Sequence, residues 1–344
     1  MAVEVKKRPQ GISHNIYRPN EETPLTNEKI ASWGLTTDSG KLLTAEGIKK
    51  RTGIERRYRA SEGETALAMA LKVADPIARN RDEFIAVVVS SSFPEVYPAD
   101  PEKNLAQAVN QEMGLRAEIC LEVGAACSGF VRGLYDIWRY REQFEGGKIL
   151  FITSEKYSPY LRDIDHTLFC DGSVAIAFEY GKDLEVLYAQ NNRLNDNAYK
   201  GIIKMPTKRD LVRQPYVEEE VAPSPSGYFD QDGSAVVNAV RNHITKIITE
   251  VVDTAGLGYK DIARVVSHQG SEIIWRVLAN ELKPYGFKMI KDLEEGNWSS
   301  GSVLKAFLKA IDQGELGIDD LAVLAAFGAG KGLLASTAVI RLLQ

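Results

Sequence analysis

The chain has 344 residues, 44% of them hydrophobic, three cysteines and a formal net charge of -5. That is enough apolar material for a large core and, by length, about two domains, while the acidic balance gives no global pull toward nucleic acid. An odd number of cysteines on a long chain argues against a disulfide framework and fits a reduced, cytoplasmic setting. Met1–Lys7 lacks the apolar region of a signal peptide, and no stretch approaches the roughly 18 apolar residues that cross a bilayer.

In chain order, Lys49, Lys50, Arg51, Arg56, Arg57 and Arg59 form a local basic cluster, for which a solvated face is the plain reading. Thr65–Ala74 reads as a helix that Asp75-Pro76 ends or kinks, Ile85–Val89 as a buried strand, and Leu105–Met113 as a second helix. In Leu121-Glu122-Val123-Gly124-Ala125-Ala126-Cys127-Ser128-Gly129-Phe130, an apolar strand gives way to a helix over 128–140, with Phe130, Leu134, Ile137 and Trp138 at helical spacing. Lys148–Thr153 and Val174–Phe178 read as strands. Met205–Asp232 is polar, with Pro206, Pro215, Pro223 and Pro225 and the acidic run Glu218–Glu220, and reads as a surface excursion over a site. The second half repeats the alternation: a helix over Ala235–Ala255, a strand at Ala263–Ser267, a helix at Glu272–Leu282 and a strand at Leu321–Phe327. Leu333–Leu343 suits a strand or a short helix. This alternation is the pattern of an α/β protein with two halves, 1–187 and 188–344.

Cys127 stands between small residues at a strand-to-helix turn, the way a nucleophile is displayed. The helix N-terminus is expected to favour its thiolate over a free thiol of pKa ~8.5. The alternative is a small buried hydrophobe. Of the four histidines, His14 and His166 fall in polar, loop-like segments and His243 on a helix. His268 ends a strand and precedes Gln269-Gly270, where α/β folds build sites. Glu295–Ser302 places Asn297 in a tight turn of small residues, where asparagine is also at home structurally. Phe327-Gly328-Ala329-Gly330-Lys331-Gly332 is glycine-rich but lacks phosphate-loop and dinucleotide spacing. Cys, His and Asn in this order also fit papain-like proteases, whose separation is roughly 130 to 150 residues. Those enzymes carry the cysteine near the mature N-terminus, whereas here an entire α/β half precedes it.

Seven segments together resemble the β-ketoacyl-acyl-carrier-protein synthase III group of the thiolase superfamily. They are Gly11-Ile12-Ser13 with Pro19, Arg51-Thr52-Gly53-Ile54, Gly124–Phe130, Asp171-Gly172-Ser173, His268-Gln269, Gly296-Asn297 and Phe327–Gly330. The resemblance implies a thiolase-like fold, two similar α/β halves in a five-layered αβαβα arrangement. It also implies a homodimer in which a core strand of the N-terminal half pairs with its symmetry mate. In chemistry it implies acyl transfer from a coenzyme A or acyl-carrier-protein thioester to Cys127, then decarboxylative condensation with a malonyl-type extender bound by His268 and Asn297. Backbone N–H groups of Cys127 and the Gly328-Ala329 region would hold the oxyanion. Arg51 belongs to the substrate-binding set, and no metal or redox cofactor is implied. Tyr97, in the loop Phe93–Pro98, is expected to close an acyl pocket at the dimer interface; the alternative packs Phe93 and Tyr97 under their own loop.

The departures point to a specialised member in a fatty-acid or polyketide-related pathway. Gly47 stands where the family has a tryptophan on which adenine stacks. Ile273 replaces a carrier-docking arginine, Cys170 a glycine, and the segments after Ser39 and Pro98 are long. A non-condensing acyltransferase, passing the acyl group to an alcohol or amine, is the alternative function; a non-catalytic partner subunit fits poorly with an intact Cys127, His268, Asn297 set.

Overall fold

The computed structural model describes residues 6–37, 39–93, 103–194, 202–204, 228, 230–330 and 332–344. Consecutive apolar residues at 85–89 demand a strand covered on both faces. The strand is Phe84–Ser90, and all of it but Ile85 is buried. It lies between Ile119–Val123 and Lys148–Glu155, parallel to both. Gly172–Glu179 and then Ser13–Tyr17 extend this five-stranded sheet with antiparallel pairings.

A second sheet has four strands in the order Ile262–Ser267, Leu321–Gly330, Gly332–Leu342, Leu184–Leu194. Its first pair is parallel and the others antiparallel. The C-terminal stretch is therefore a strand, because ladders on both sides claim its backbone groups.

Helices Gly129–Arg139 and Gly301–Asp312 lie between the sheets and pack on strands of both. Ala66–Ala74 and Leu105–Glu112 cover the outer face of the first sheet, and Thr245–Thr254 covers that of the second. Five layers result, helix, sheet, helix, sheet, helix, as the family resemblance implied. The central position explains why Gly301–Ile311 is buried on every side except at Lys309, the mark of a helix with no solvent face.

Local chemistry sets the helix limits. The Thr65 hydroxyl accepts from the Ala68 N–H at 3.0 Å, and the helix ends at Ala74. The expected 235–255 helix starts earlier, at Gly233, because the Asp232 carboxylate accepts from the N–H groups of Ser234 and Ala235. It continues through a π-helical turn, Val240–Ile244, into Thr245–Thr254. Most of the 205–232 excursion lies outside the described residues; at its base, Ile203–Lys204 pairs antiparallel with Asp230–Gln231.

The three parallel strands of the first sheet end on one edge, where both central helices begin. A Cβ on Gly129 would come within 1.8 Å of Ser90 Oγ and 2.9 Å of Ser300 Cβ. The end of one strand and the starts of two helices thus meet where only glycine fits, and they bring distant segments of the chain to one point.

Candidate active site

Cys127, His268 and Asn297 line one cavity of about 780 Å³, walled in part by Phe169, Val236 and Phe327. Cys127 sits in a short 3-10 turn, Ala126–Ser128, between the Ile119–Val123 strand and the Gly129–Arg139 helix. Ala126 has φ +43°, a left-handed conformation that costs about 1–3 kcal/mol in a non-glycine residue. Ser299, whose Oγ lies 3.5 Å from Cys127 Sγ, has φ +47°. Two strained residues therefore flank the thiol.

The expected stabilised thiolate is not what this environment favours. Burial pushes the Cys127 thiol up to about 12, and the nearby Glu155 carboxylate pushes the same way, while the Ser299 hydroxyl and the cysteine's own N–H oppose them. A helix terminus contributes about 0.3–1 kcal/mol at an exposed site. Enclosing a charge in apolar surroundings costs several times more. Cys127 keeps partial solvent contact through the cavity, yet its sulfur is surrounded by protein.

His268 follows the Ile262–Ser267 strand and is tied by its N–H to the Ala325 carbonyl at 2.8 Å. Its ring meets Phe327 edge-on at 5.3 Å, and burial lowers its pKa to about 4. At neutral pH it is an uncharged imidazole. Nδ1 is buried with no hydrogen-bond partner among the described residues.

Asn297 is fixed more tightly. Its backbone N–H donates to Leu168 O at 2.8 Å, and its carbonyl accepts from Cys170 N–H at 3.0 Å. Its side-chain Oδ1 accepts from Ser299 N–H at 2.9 Å and from Ser302 Oγ at 3.1 Å. Those bonds set the amide orientation, so the group it offers the cavity is the Nδ2 donor.

The other predicted residues are placed as follows. A Cβ on Gly328 would approach Cys127 N at 2.9 Å and Ser128 N at 3.2 Å, so the Leu321–Gly330 strand lays its backbone against the cysteine amide. Ala329 follows in that strand, opposite Leu333. Arg51 is exposed in the last turn of the Ala45–Thr52 helix, at the cavity rim. The buried arginine of that segment is Arg57, which donates to Asn27 Oδ1 at 2.5 Å and to the Thr167 carbonyl. Tyr97 lies outside the described residues, whereas Phe93 packs on Tyr157 and Tyr160 of its own chain. Ile273 is 45% exposed and at the rim. Cys170 Sγ accepts from the Tyr58 N–H at 3.1 Å, a structural bond. His14 lies in the Ser13–Tyr17 strand rather than a loop, and His166 is buried edge-on against Trp33. Neither lines the cavity.

Sequence reasoning missed Glu155, at the end of its strand and buried beside the thiol. It accepts from Ser92 N–H at 2.9 Å, Ser92 Oγ at 3.1 Å, Ser300 N–H at 3.2 Å and Ser300 Oγ. Burial pushes its pKa up to about 7 against those bonds. The only sequence signal was a charged residue three positions past the apolar run Ile149–Ile152.

The model for the C-terminal part of 3-oxoacyl-(acyl-carrier-protein) synthase III matches residues 252–342. A β-ketoacyl-(acyl-carrier-protein) synthase III of Jannaschia sp. (strain CCS1) is 29% identical over 339 residues, covering 95% of this chain and 96% of the relative. The crystal structure of 3-oxoacyl-(acyl-carrier-protein) synthase III from Aquifex aeolicus VF5 superposes with TM-score 0.77 at 21% identity, covering 98% of this chain and 99% of the other. The priming β-ketosynthase of the R1128 polyketide biosynthetic pathway gives TM-score 0.77 at 23% identity, covering 100% and 99%.

Proposed function

We propose that this chain, which has the thiolase fold and is similar to β-ketoacyl-acyl-carrier-protein synthase III proteins, joins an acyl group held on Cys127 to a malonyl-type extender. The observation that carries the reading is the convergence of Cys127, His268 and Asn297 on one cavity with apolar walls. Cys127 takes the acyl group from a coenzyme A or carrier-protein thioester, and the N–H groups of Cys127 and Ala329 hold the oxyanion. His268 and Asn297 donate to the thioester carbonyl of the extender and stabilise the enolate left when carbon dioxide departs. A neutral imidazole and an amide suit that step, because each donates a hydrogen bond without adding a carboxylate to repel the extender's own. The enolate attacks the acyl-cysteine and forms the new C–C bond.

Arg51 at the rim serves substrate binding in this proposal. The exposed side of the Ile119–Val123 edge strand is where a second copy would pair, which light scattering at micromolar concentration tests. The priming ketosynthase likeness supports a specialised fatty-acid or polyketide-related role.

The test is intact-protein mass spectrometry after exposure to a panel of acyl thioesters. Wild type gains one acyl mass and Cys127→Ala none, with Cys120 and Cys170 dispensable. A stable adduct on Cys127→Ala overturns the assignment. Acyl transfer to hydroxyls or amines, with no extender ever decarboxylated, replaces condensation with simple acyl transfer.

A further inference from the structure

We propose that Glu155 is the proton acceptor for the Cys127 thiol, reached through the hydroxyls of Ser299 and Ser92. The inference rests on the reading of Cys127 as the acyl acceptor. Cys127 Sγ lies 3.5 Å from Ser299 Oγ, which lies 3.0 Å from Ser92 Oγ, which in turn donates to Glu155 Oε1 at 3.1 Å. Tyr157 OH, 2.9 Å from both Ser92 Oγ and Ser299 Oγ, braces the chain of hydroxyls from the side. Every side chain of the relay beyond the thiol is buried. The segments that supply it follow the Phe84–Ser90 strand, end the Lys148–Glu155 strand and precede the Gly301–Asp312 helix, so three separate elements build one hydroxyl chain that reaches the sulfur through Ser299.

A buried carboxylate with four donors around it is a stable acceptor, and the thiol it faces has no cation beside it in the relay. As Cys127 Sγ forms its bond to the acyl carbon, the Ser299 hydroxyl, which at rest donates to that sulfur, turns toward Ser92 and accepts the thiol proton, the Ser299 proton passes to Ser92, and the Ser92 proton to Glu155. The negative charge leaves the carboxylate as the sulfur gives up its proton, so the buried site gains no net charge. The departing thiolate takes a proton from solvent. When the condensation step later expels Cys127 as a thiolate, the proton on Glu155 returns along the same hydroxyls, and the cycle closes with one solvent proton consumed by the leaving thiol.

The titratable groups facing Glu155 are Cys127, from the nucleophile turn, and Tyr157, from its own segment; His268 stands across the cavity and is neutral. A purely electrostatic role and a relay predict opposite outcomes. Removing a like charge makes a thiol more acidic and more reactive. Removing a proton acceptor makes it less so.

The experiment is the rate of Cys127 alkylation by iodoacetamide as a function of pH, read by peptide mass spectrometry. Wild type is expected to show a rise with a midpoint near 7, following Glu155 ionisation. Glu155→Gln should lose that step and react at least tenfold more slowly at pH 7.5, Glu155→Asp should restore part of it, and Ser92→Ala should lose it with the carboxylate in place. Tyr157→Phe should keep it, since the direct Ser299 to Ser92 step survives. An unchanged or faster reaction in Glu155→Gln overturns the proposal. Should that variant fail to fold, Ser92→Ala and Ser299→Ala decide, and a wild-type profile in both overturns it. Iodoacetamide involves no acyl thioester, so failure of acyl loading with an intact pH step would fault the condensing reading and leave the relay standing.

Discussion

On the proposed reading Asn297 serves only the extender half-reaction, and its hydrogen bonds let the effect of its loss be worked out. Asn297→Ala removes an acceptor from two buried donors, Ser299 N–H and Ser302 Oγ–H. Each unpaired donor costs about 1–3 kcal/mol, or about 2–6 kcal/mol together. With an unfolding entropy of about 2.1 cal/mol/K per residue over 344 residues, the melting temperature falls by about 3–8 °C. Asn297→Asp keeps the acceptor and should recover more than half of that loss. Both variants lack the Nδ2 donor, so both should slow extender decarboxylation by about 10²–10³, the usual loss for one donor to a developing oxyanion. Both should still acylate Cys127, since neither removes the thiol or the N–H groups proposed to hold the oxyanion. The assays are thermal melts, acyl loading by intact mass and carbon dioxide release from a malonyl thioester. Decarboxylation by Asn297→Asp near the wild-type rate would refute the assigned orientation, because Asp offers oxygen where Asn offers N–H.

Gly328→Ala places a methyl 2.9 Å from Cys127 N, and since backbone cannot swing aside it should cost about 1–3 kcal/mol and slow acyl loading, as melts and intact mass would show. Lys305 is 4% exposed and paired with Asp292; Lys305→Met strands that carboxylate with Lys309 alone and should cost about 3 kcal/mol in urea unfolding. Glu155 is raised to about 7 from 4.5, so the folded state binds a proton that the unfolded state releases between pH 4.5 and 7, and stability from this group grows as pH falls through that window. His268, lowered to about 4 from 6.5, acts oppositely and loses stability as pH falls from 6.5 to 4. Melts of Glu155→Gln should therefore show a steeper acid loss than wild type between pH 7 and 4.5.

The sequence made the scaffold legible because apolar runs and caps are local. Ile85–Val89, Thr65–Ala74 and Glu272–Leu282 are found within a residue or so of where their patterns put them. Cys127, His268 and Asn297 were visible because each sits where an element ends, with small residues around it. What stayed hidden was non-local. Glu155 looks like an ordinary strand end until Ser92 and Ser300, far away in sequence, are brought onto its oxygens. The thiol's environment was misread for the same reason: a helix start can be seen in sequence, but the walls that bury the sulfur come from Tyr157, Phe327 and the Ser299 turn.

Those walls change what the fold has to accomplish. A nucleophile at an open helix terminus needs only the dipole, whereas a thiol raised to about 12 at neutral pH is almost wholly protonated. In the proposed reaction its attack on a thioester must therefore be coupled to removal of a proton at the moment of bond formation. The same enclosure that raises the thiol also lowers His268 to about 4, keeping it a neutral hydrogen-bond donor and a poor partner for that proton, which it would have to hold as a buried cation. On the proposed reading burial divides the labour within one cavity: the imidazole and the Asn297 amide are left to polarise a carbonyl, and among the described residues the carboxylate behind the serine hydroxyls is the group placed to take up a proton near pH 7. Mutating His268 to Ala should accordingly abolish extender decarboxylation while leaving the pH dependence of Cys127 alkylation in place, and loss of the step near pH 7 in that variant would mean that histidine, not Glu155, receives the proton.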